Sequence, residues 1–284
     1  MPIALGSLDV SKIYLGLNEI DASYFGGNLV FSEQDLLFTV DASISTSLTV
    51  SELDSGASYS GVIDWGDGSA DTILSGTGNT SISHTFTSTG VYQVRVIGSA
   101  VPKFSVVNQS NIISVENLGN VGLIQTGNMF NTCTNLASVK IGNNLNTLNN
   151  STFYSCTSLT SIIIPHNVTT IGIRQFELCS SLVSVNLPYN ITHLGYRTFK
   201  GCTSLTSITI PNNVTSIGNE LFYDCGNLAT VDLSLPKLVI DTAFSTFLNT
   251  ASPLTLNVPT GTAGWTAGTG QSIGGNTNVT VNLV

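Results

Sequence analysis

The stretch Phe199-Lys200-Gly201-Cys202-Thr203-Ser204-Leu205-Thr206-Ser207-Ile208-Thr209-Ile210-Pro211-Asn212-Asn213-Val214-Thr215-Ser216-Ile217-Gly218 decides the fold. Its pattern, F-x-x-C-x-x-L-x-x-[IV]-x-[IL]-P-x-x-[VI]-x-x-[IL]-G, recurs at intervals of 23 residues from Phe130/Cys133 through Phe153/Cys156, Phe176/Cys179 and Phe199/Cys202 to Phe222/Cys225. A fixed period of this size marks a solenoid, because one such unit cannot bury its apolar face alone and must stack on its neighbours. An array of this kind presents a surface, so binding is expected before catalysis.

Within each coil, L-x-x-[IV]-x-[IL] reads as a strand whose apolar positions face the core, with Leu205, Ile208 and Ile210 as the example. Alternation along a strand then turns the intervening residues outward in columns. One column is Ser138, Ser161, Ser184, Ser207 and Thr230; the next is Lys140, Ile163, Asn186, Thr209 and Asp232. Just past the strands lies a third, Asn143, His166, Tyr189 and Asn212. Recognition is expected on this face and its rim, at Asn186, Thr209, Asp232, His166 and Tyr189. These positions vary in chemistry from coil to coil, and they combine amides and hydroxyls with a ring able to cover the apolar face of a sugar.

Composition narrows the partners. Only 9% of the 284 residues are charged, against about a quarter in soluble domains. A net charge of −9 with eight Lys plus Arg leaves no basic patch for phosphates, which argues against nucleic acid and against anionic membrane surfaces. No segment approaches the roughly 18 apolar residues of a membrane span, so membrane insertion is not expected. The N-terminus, MPIALGSLDVSKIYLG, has no basic region ahead of an apolar stretch, and Asp9 interrupts the only apolar candidate, so it does not read as an export signal. All five cysteines occupy one repeat position. An odd count at one buried position reads as a column of free thiols, not as a disulfide framework or metal site.

Ahead of the repeats, Tyr14-Leu15-Gly16-Leu17-Asn18-Glu19-Ile20 is echoed by Tyr24-Phe25-Gly26-Gly27-Asn28-Leu29-Val30. Each half reads as a small strand-turn unit, with Gly and Asn at the turn. A piece this small cannot fold stably alone and is expected to dock on something else, through Tyr14, Leu15, Tyr24 and Phe25. From about Leu36 to Ala100, five short strand candidates separated by turns argue for a β-sandwich: Leu37–Val40, Leu48–Val50, Gly61–Trp65, Ser81–Phe86 and Gly90–Val96. The expected organisation is a docking segment over 1–33, a sandwich over 34–100, the solenoid over 101–250 and a capping segment over 251–284. The class is mainly β throughout.

Three resemblances attach to these stretches. The Lys12-Ile13-Tyr14-Leu15-Gly16 run resembles the KIYLG-type motif near the N-termini of phage tail and other virion proteins. Asp64-Trp65-Gly66-Asp67-Gly68, followed by His84-Thr85-Phe86 and Gly90-Val91-Tyr92-Gln93-Val94, resembles the polycystic-kidney-disease (PKD) immunoglobulin-like domain. The 23-residue unit resembles the BspA-type leucine-rich repeats of bacterial surface proteins and some phage proteins. Together they imply a non-enzymatic virion appendage or decoration protein. Such a protein would join other virion structural proteins through its N-terminal segment and contact a host-surface protein or glycan. The alternatives are a bacterial cell-surface adhesin and a polysaccharide-targeting accessory module.

No catalytic constellation stands beside these readings, and no cofactor or metal is expected. Asp64, Asp67 and Asp71 read as a turn and lack the alternate-position ligands of a calcium loop. His84 reads as a structural residue on a sandwich strand, and His166 and His193 belong to different repeat positions. Gly268-x-Gly270-x-x-x-Gly274 has the wrong context for a dinucleotide fingerprint and reads as loop. The sequons at Asn167, Asn190 and Asn213 recur because the repeat recurs. Arg174 and Arg197, one coil apart, read as a solvated ridge able to stack on Tyr196.

Overall fold

The computed structural model describes residues 35–50, 59–76, 81–97, 105–118, 127–143, 145–233 and 245–284, with the backbone of four short strands between residues 13 and 30. Among the described residues all regular elements are strands, and no helix is long and apolar enough to cross a membrane.

The N-terminal echo forms two hairpins. β1 (Ile13–Leu15) pairs antiparallel with β2 (Asn18–Ile20), and β3 (Ser23–Phe25) pairs antiparallel with β4 (Asn28–Val30). The registers match: Leu15 opposes Asn18, and Phe25 opposes Asn28. Each asparagine therefore opens the returning strand instead of sitting in the turn. Neither hairpin joins another sheet. The side chains of Tyr14, Leu15, Tyr24 and Phe25 lie outside the described residues.

The next strands are β5 (Leu36–Asp41), β6 (Ser47–Val50), β7 (Tyr59–Asp64), β8 (Thr72–Gly76), β9 (Ile82–Thr85), β10 (Val91–Ile97) and β11 (Ile112–Leu118). β6 and β9 form a two-stranded sheet, and the larger sheet runs β8-β7-β10-β5-β11. β8 has no counterpart among the strands read from sequence. Leu36, Phe38, Val40, Ile63, Val94 and Val96 are buried with Leu48, Val50, Trp65 and Phe86 in one core.

β11 is shared between the two parts of the molecule. It pairs antiparallel with β5 and parallel with the first short solenoid strand, β12 (Ser138–Val139). Phe38 meets Phe130 edge-on at 6.3 Å, so sandwich and solenoid have a continuous apolar interior.

Each coil from β12 to β19 (Ser216–Ile217) contributes two strands, one to each flank. One flank stacks β13 (Thr147–Leu148), β15 (Thr170–Ile171), β17 (His193–Leu194) and β19, all parallel. The other carries β14 (Ser161–Ile163), β16 (Ser184–Asn186), β18 (Ser207–Ile210), β20 (Thr230–Leu233) and β21 (Leu254–Val258). After β21 the chain makes β22 (Gly268–Ile273) and β23 (Asn276–Leu283). β23 extends the parallel ladder from β21, while β22 lies antiparallel on its outside. Antiparallel strands thus close the ladder at both ends, β5 at the start and β22 at the finish. The expectation of a loop at Gly268–Gly274 is corrected: the stretch contains a bulged edge strand. Bulges of this kind let a glycine-rich segment pair while discouraging further strand addition.

On the turn side the phenylalanines form a stack. Ring centroids from Phe130 through Phe153, Phe176, Phe199 and Phe222 to Phe247 are 6.0, 5.9, 5.6, 5.6 and 5.8 Å apart, with planes within 10° of parallel. Phe247 lies beyond the repeats read at the 23-residue interval, because its coil is two residues longer. Beside the stack runs the cysteine column, every member buried and free. Each thiol donates to a carbonyl of the preceding coil: Cys156 to Phe130, Cys179 to Phe153, Cys202 to Phe176 and Cys225 to Phe199, at 3.0–3.2 Å. A small apolar side chain that still offers a weak donor suits this position. Burial pushes the thiols of Cys133, Cys179 and Cys225 up to about 12. Native thiol labelling at neutral pH should therefore be very slow, and denaturation without reductant should expose all five; fewer would reveal a disulfide.

Candidate functional site

The alternation read from sequence holds on the strand face. Leu205, Ile208 and Ile210 are buried, while Ser207 and Thr209 between them are exposed. Pairing aligns Ser161 with Ser184, Ile163 with Asn186, Ser207 with Thr230 and Thr209 with Asp232. The columns run on past the repeats into Thr255 and Thr280, and into Asn257 and Asn282.

Asp232 is the hub of a polar ladder. Its carboxylate accepts from Asn257 Nδ2 at 2.7 Å and from Thr209 Oγ1 at 3.4 Å, and Asn282 Nδ2 donates to Asn257 Oδ1 at 3.1 Å. Asn257 and Asn282 are absent from the residues chosen on sequence. The signal is present: Thr230-Val231-Asp232-Leu233, Thr255-Leu256-Asn257-Val258 and Thr280-Val281-Asn282-Leu283 repeat at a 25-residue interval that the 23-residue period hides. Asn186 and His166 are exposed outside this ladder. Tyr189 is 66% exposed and Ile163 71%, so the middle of the face presents apolar surface between hydroxyls and amides.

Two of the three sequon asparagines have structural work. Asn213 Nδ2 donates to Tyr189 O at 2.8 Å, and Asn167 Nδ2 donates to the carbonyls of Asn143 and Leu145 in the preceding coil. They support the rim on which Tyr189 stands.

A second cluster lies on the turn side. Glu220 accepts from Arg197 Nε at 3.0 Å, Arg197 Nη2 at 3.1 Å and Lys200 Nζ at 2.9 Å. Arg197 stacks 4.5 Å from the Tyr196 ring, Arg174 lies 5.9 Å from the same ring, and Lys200 lies 4.4 Å from the ring of Tyr223. The ridge expected at Arg174 and Arg197 is an ion-pair and stacking network spanning three coils. Its buried member is Glu177, 3.4 Å from Arg174. Burial pushes the Glu177 carboxyl above its ordinary value, against the opposing pull of Arg174, Arg197 and Lys200. The folded state thus holds this proton more tightly than the unfolded state, so the Glu177 contribution favours folding as pH falls toward its raised value. Glu220 has the opposite sign: its hydrogen bond from Arg197 lowers its value, and its stabilisation is lost only in more acid solution. Glu177→Gln should remove the first dependence and leave the second, as read from unfolding midpoints between about pH 2 and 7.

In the sandwich, the Asp64–Asp71 loop is held by its own backbone. Asp64 Oδ1 accepts from Gly66 N at 2.9 Å, and Asp67 Oδ1 accepts from Ser69 N at 3.0 Å. Asp67 Oδ2 lies 2.8 Å from His84 Nε2. His84 in turn stacks on Trp65 with centroids 4.5 Å apart. Gly66 sits at φ +73, and a Cβ there would lie 2.2 Å from the carbonyl oxygen of Gln93, which explains a glycine after the tryptophan. Two carboxylates are thus committed to turn geometry, and no group of metal-ligating side chains occurs among the described residues.

Stacked coils with a strand flank, a phenylalanine ladder and leucines at each inward turn define a leucine-rich-repeat solenoid. The profile of the BspA type leucine rich repeat region matches six copies over residues 104–258, more than half of the chain, and the chain belongs to that family. Similar solved structures include the leucine rich repeat protein of T. pallidum (27% identity, 39% of this chain and 51% of that one, TM-score 0.35). A leucine-rich repeat protein from Bacteroides ovatus is 23% identical over 48% of this chain and 43% of that one, with a TM-score of 0.38. A leucine rich cell surface protein from Faecalibacterium prausnitzii is 22% identical over 46% and 47%, with a TM-score of 0.35. The chain spans about half the length of these proteins. No curated protein matches it.

Proposed function

We propose that this chain is a non-enzymatic adhesion protein whose solenoid strand face binds an uncharged glycan or protein surface on a host cell. The observation that carries the reading is the composition of that face. Asn186 and Thr209 are exposed, Asp232 is tied into a ladder, and Tyr189 stands on a rim at 66% exposure. A backbone-paired sheet with amides, hydroxyls and one aromatic ring is preorganised for hydrogen-bonded recognition of sugars. His166 belongs to the same rim. With few charges involved, binding is expected to depend weakly on salt.

In this reading the tandem hairpins within residues 1–33 attach the protein to a larger assembly, and the PKD-like sandwich holds the solenoid away from it. The KIYLG-type run favours a virion as that assembly, with other virion structural proteins as partners. Membership of the BspA-type family favours the second placement, an adhesin on a bacterial surface. Deleting residues 1–33 should leave a folded protein that no longer enters its parent particle. Normal incorporation of the truncated protein would move docking elsewhere.

The adhesion reading is tested by binding to host cells and extracted glycans, comparing wild type with a Tyr189→Ala/Asn186→Ala double variant of unchanged stability. Undiminished binding by the variant would displace the site from the strand face.

A further inference from the structure

We infer that the strand face accepts an extended, uncharged polysaccharide chain lying along the solenoid axis, with about one sugar per coil. The inference rests on the adhesion reading above and specifies the form of its ligand.

The first observation concerns the hydroxyls. Near the strands β13, β15, β17 and β19 several are used internally, though among the described residues those of Thr147 and Thr170 are not. Thr169 and Thr215 donate to the carbonyls of Asn146 and Thr192 in the preceding coils, and Ser216 Oγ lies 2.7 Å from His193 Nδ1. Thr157 and Thr203, near the turns, likewise donate to the preceding coil. On the strand face, Ser138, Ser161, Ser184, Ser207, Thr230, Thr255 and Thr280 form one column in register. All are exposed or half-exposed, and none of these hydroxyls appears in a side-chain hydrogen bond among the described residues. The column is thus open along its whole length.

The second observation is the company the column keeps. The parallel column contains apolar Ile163 and the Thr209–Asp232–Asn257–Asn282 ladder, and Val183 and Tyr189 add further exposed apolar surface. Polymeric sugars present the matching pattern, with C–H faces for the apolar residues and hydroxyl edges for the open column. Between Lys140 and Asp232 neither outward column carries a charge, so nothing there would neutralise a uronate or sulfated chain.

The third is the repeat distance. Paired strands place equivalent residues about 4.8 Å apart, and a β-linked hexose chain advances by close to that distance per sugar. A ligand with one repeat per coil gains from each added unit, because later contacts form at high effective concentration. A folded protein epitope has no such translational repeat to match.

The experiment uses the full chain against linear neutral polysaccharides (cellulose, chitin, xylan and mannan) and their oligosaccharides from the disaccharide to the heptasaccharide, by affinity electrophoresis and calorimetry. Affinity for one series should climb with each sugar. Ser184→Arg/Ser207→Arg, outward-facing and checked for an unchanged thermal midpoint, should weaken the heptasaccharide by about tenfold or more while sparing the disaccharide. A disaccharide bound as tightly as the heptasaccharide would overturn the axial chain and leave adhesion at Tyr189 and Asn186 intact. Host-cell binding without binding to any of these glycans would likewise overturn it in favour of a protein ligand. Loss of both glycan and cell binding as findings would overturn the adhesion reading itself.

Discussion

Truncating Phe176 to alanine is expected to cost about 3–5 kcal/mol, the range for large-to-small changes at buried aromatic positions. Phe176 is wholly buried, with Phe153 5.9 Å away on one side and Phe199 5.6 Å on the other. Its loss removes transfer free energy and opens a gap at two ring contacts, and the flanking backbones cannot collapse to fill it. Those backbones are fixed by coil-to-coil bonds such as Phe153 N to Gln175 O and Phe176 N to Thr198 O, at 3.2 and 2.9 Å. Because each coil touches mainly its neighbours, a weak central coil should also split the array into units that unfold separately, lowering the apparent denaturant slope. Leu205→Ala should cost roughly 2–5 kcal/mol, and Ser207→Ala on the outward side of the same coil should stay within about 0.5 kcal/mol. Urea unfolding followed by circular dichroism separates these cases. A Phe176→Ala curve overlying that of Ser207→Ala would mean that the ring stack does not hold the coils together.

Where the chain obeys one period, sequence and structure agree residue by residue. The 23-residue interval places Leu205, Ile208 and Ile210 inside and Ser207 and Thr209 outside, and it puts the cysteines in one buried column. It fails where the period changes or where backbone geometry rules. Phe247 is hidden by a longer coil, and with it the Asn257–Asn282 extension of the polar ladder. β22 is hidden because its partner, β23, arrives from the far side of a glycine turn, with Gly274 and Gly275 at φ +57 and +90. Left-handed residues recur two positions before and two after the phenylalanines, but their identities range over Asn128, Ser151, Arg174, Arg197 and Glu220 on one side and Thr132, Leu178 and Asp224 on the other. Only some of these are residue types that favour that conformation. Coil stacking imposes it on the rest, so no residue signature marks the position. The Arg174–Glu220 network is read from sequence only as a hint of stacking, although Arg174, Arg197 and Glu220 share the position two before the phenylalanine and the Arg197–Glu220 pair spans one 23-residue period.

The glycine that closes the repeat is the second position where a large effect is expected. Gly172, Gly195 and Gly218 stand in one column, and a Cβ on Gly218 would lie 2.4 Å from the backbone nitrogen of Tyr196 and 2.7 Å from the carbonyl carbon of Gly195. The obstruction is main chain, which cannot rotate aside as a side chain can. At Gly172 the corresponding distance to Asn150 N is 2.6 Å, and at Gly195 it is 3.0 Å to Ile173 N. Adjacent coils therefore approach tightly at this corner, where Gly218 N donates to Leu194 O at 2.7 Å. Gly218→Ala must push two coils apart there, stretching that bond and the neighbouring pairing of Ile217 with Leu194. The expected cost is about 3 kcal/mol, the upper end for overpacking a filled site. Gly226→Ala is the matched control: a Cβ there meets nothing within 4 Å, and the change should stay within about 0.5 kcal/mol. Gly195→Ala should fall between them, because its nearest contact is longer. Thermal unfolding of the three variants orders them as Gly218, Gly195, Gly226 by loss of stability. An indistinguishable Gly218→Ala and Gly226→Ala would show that the coils are not in contact at this corner and that the glycine column answers to something other than stacking.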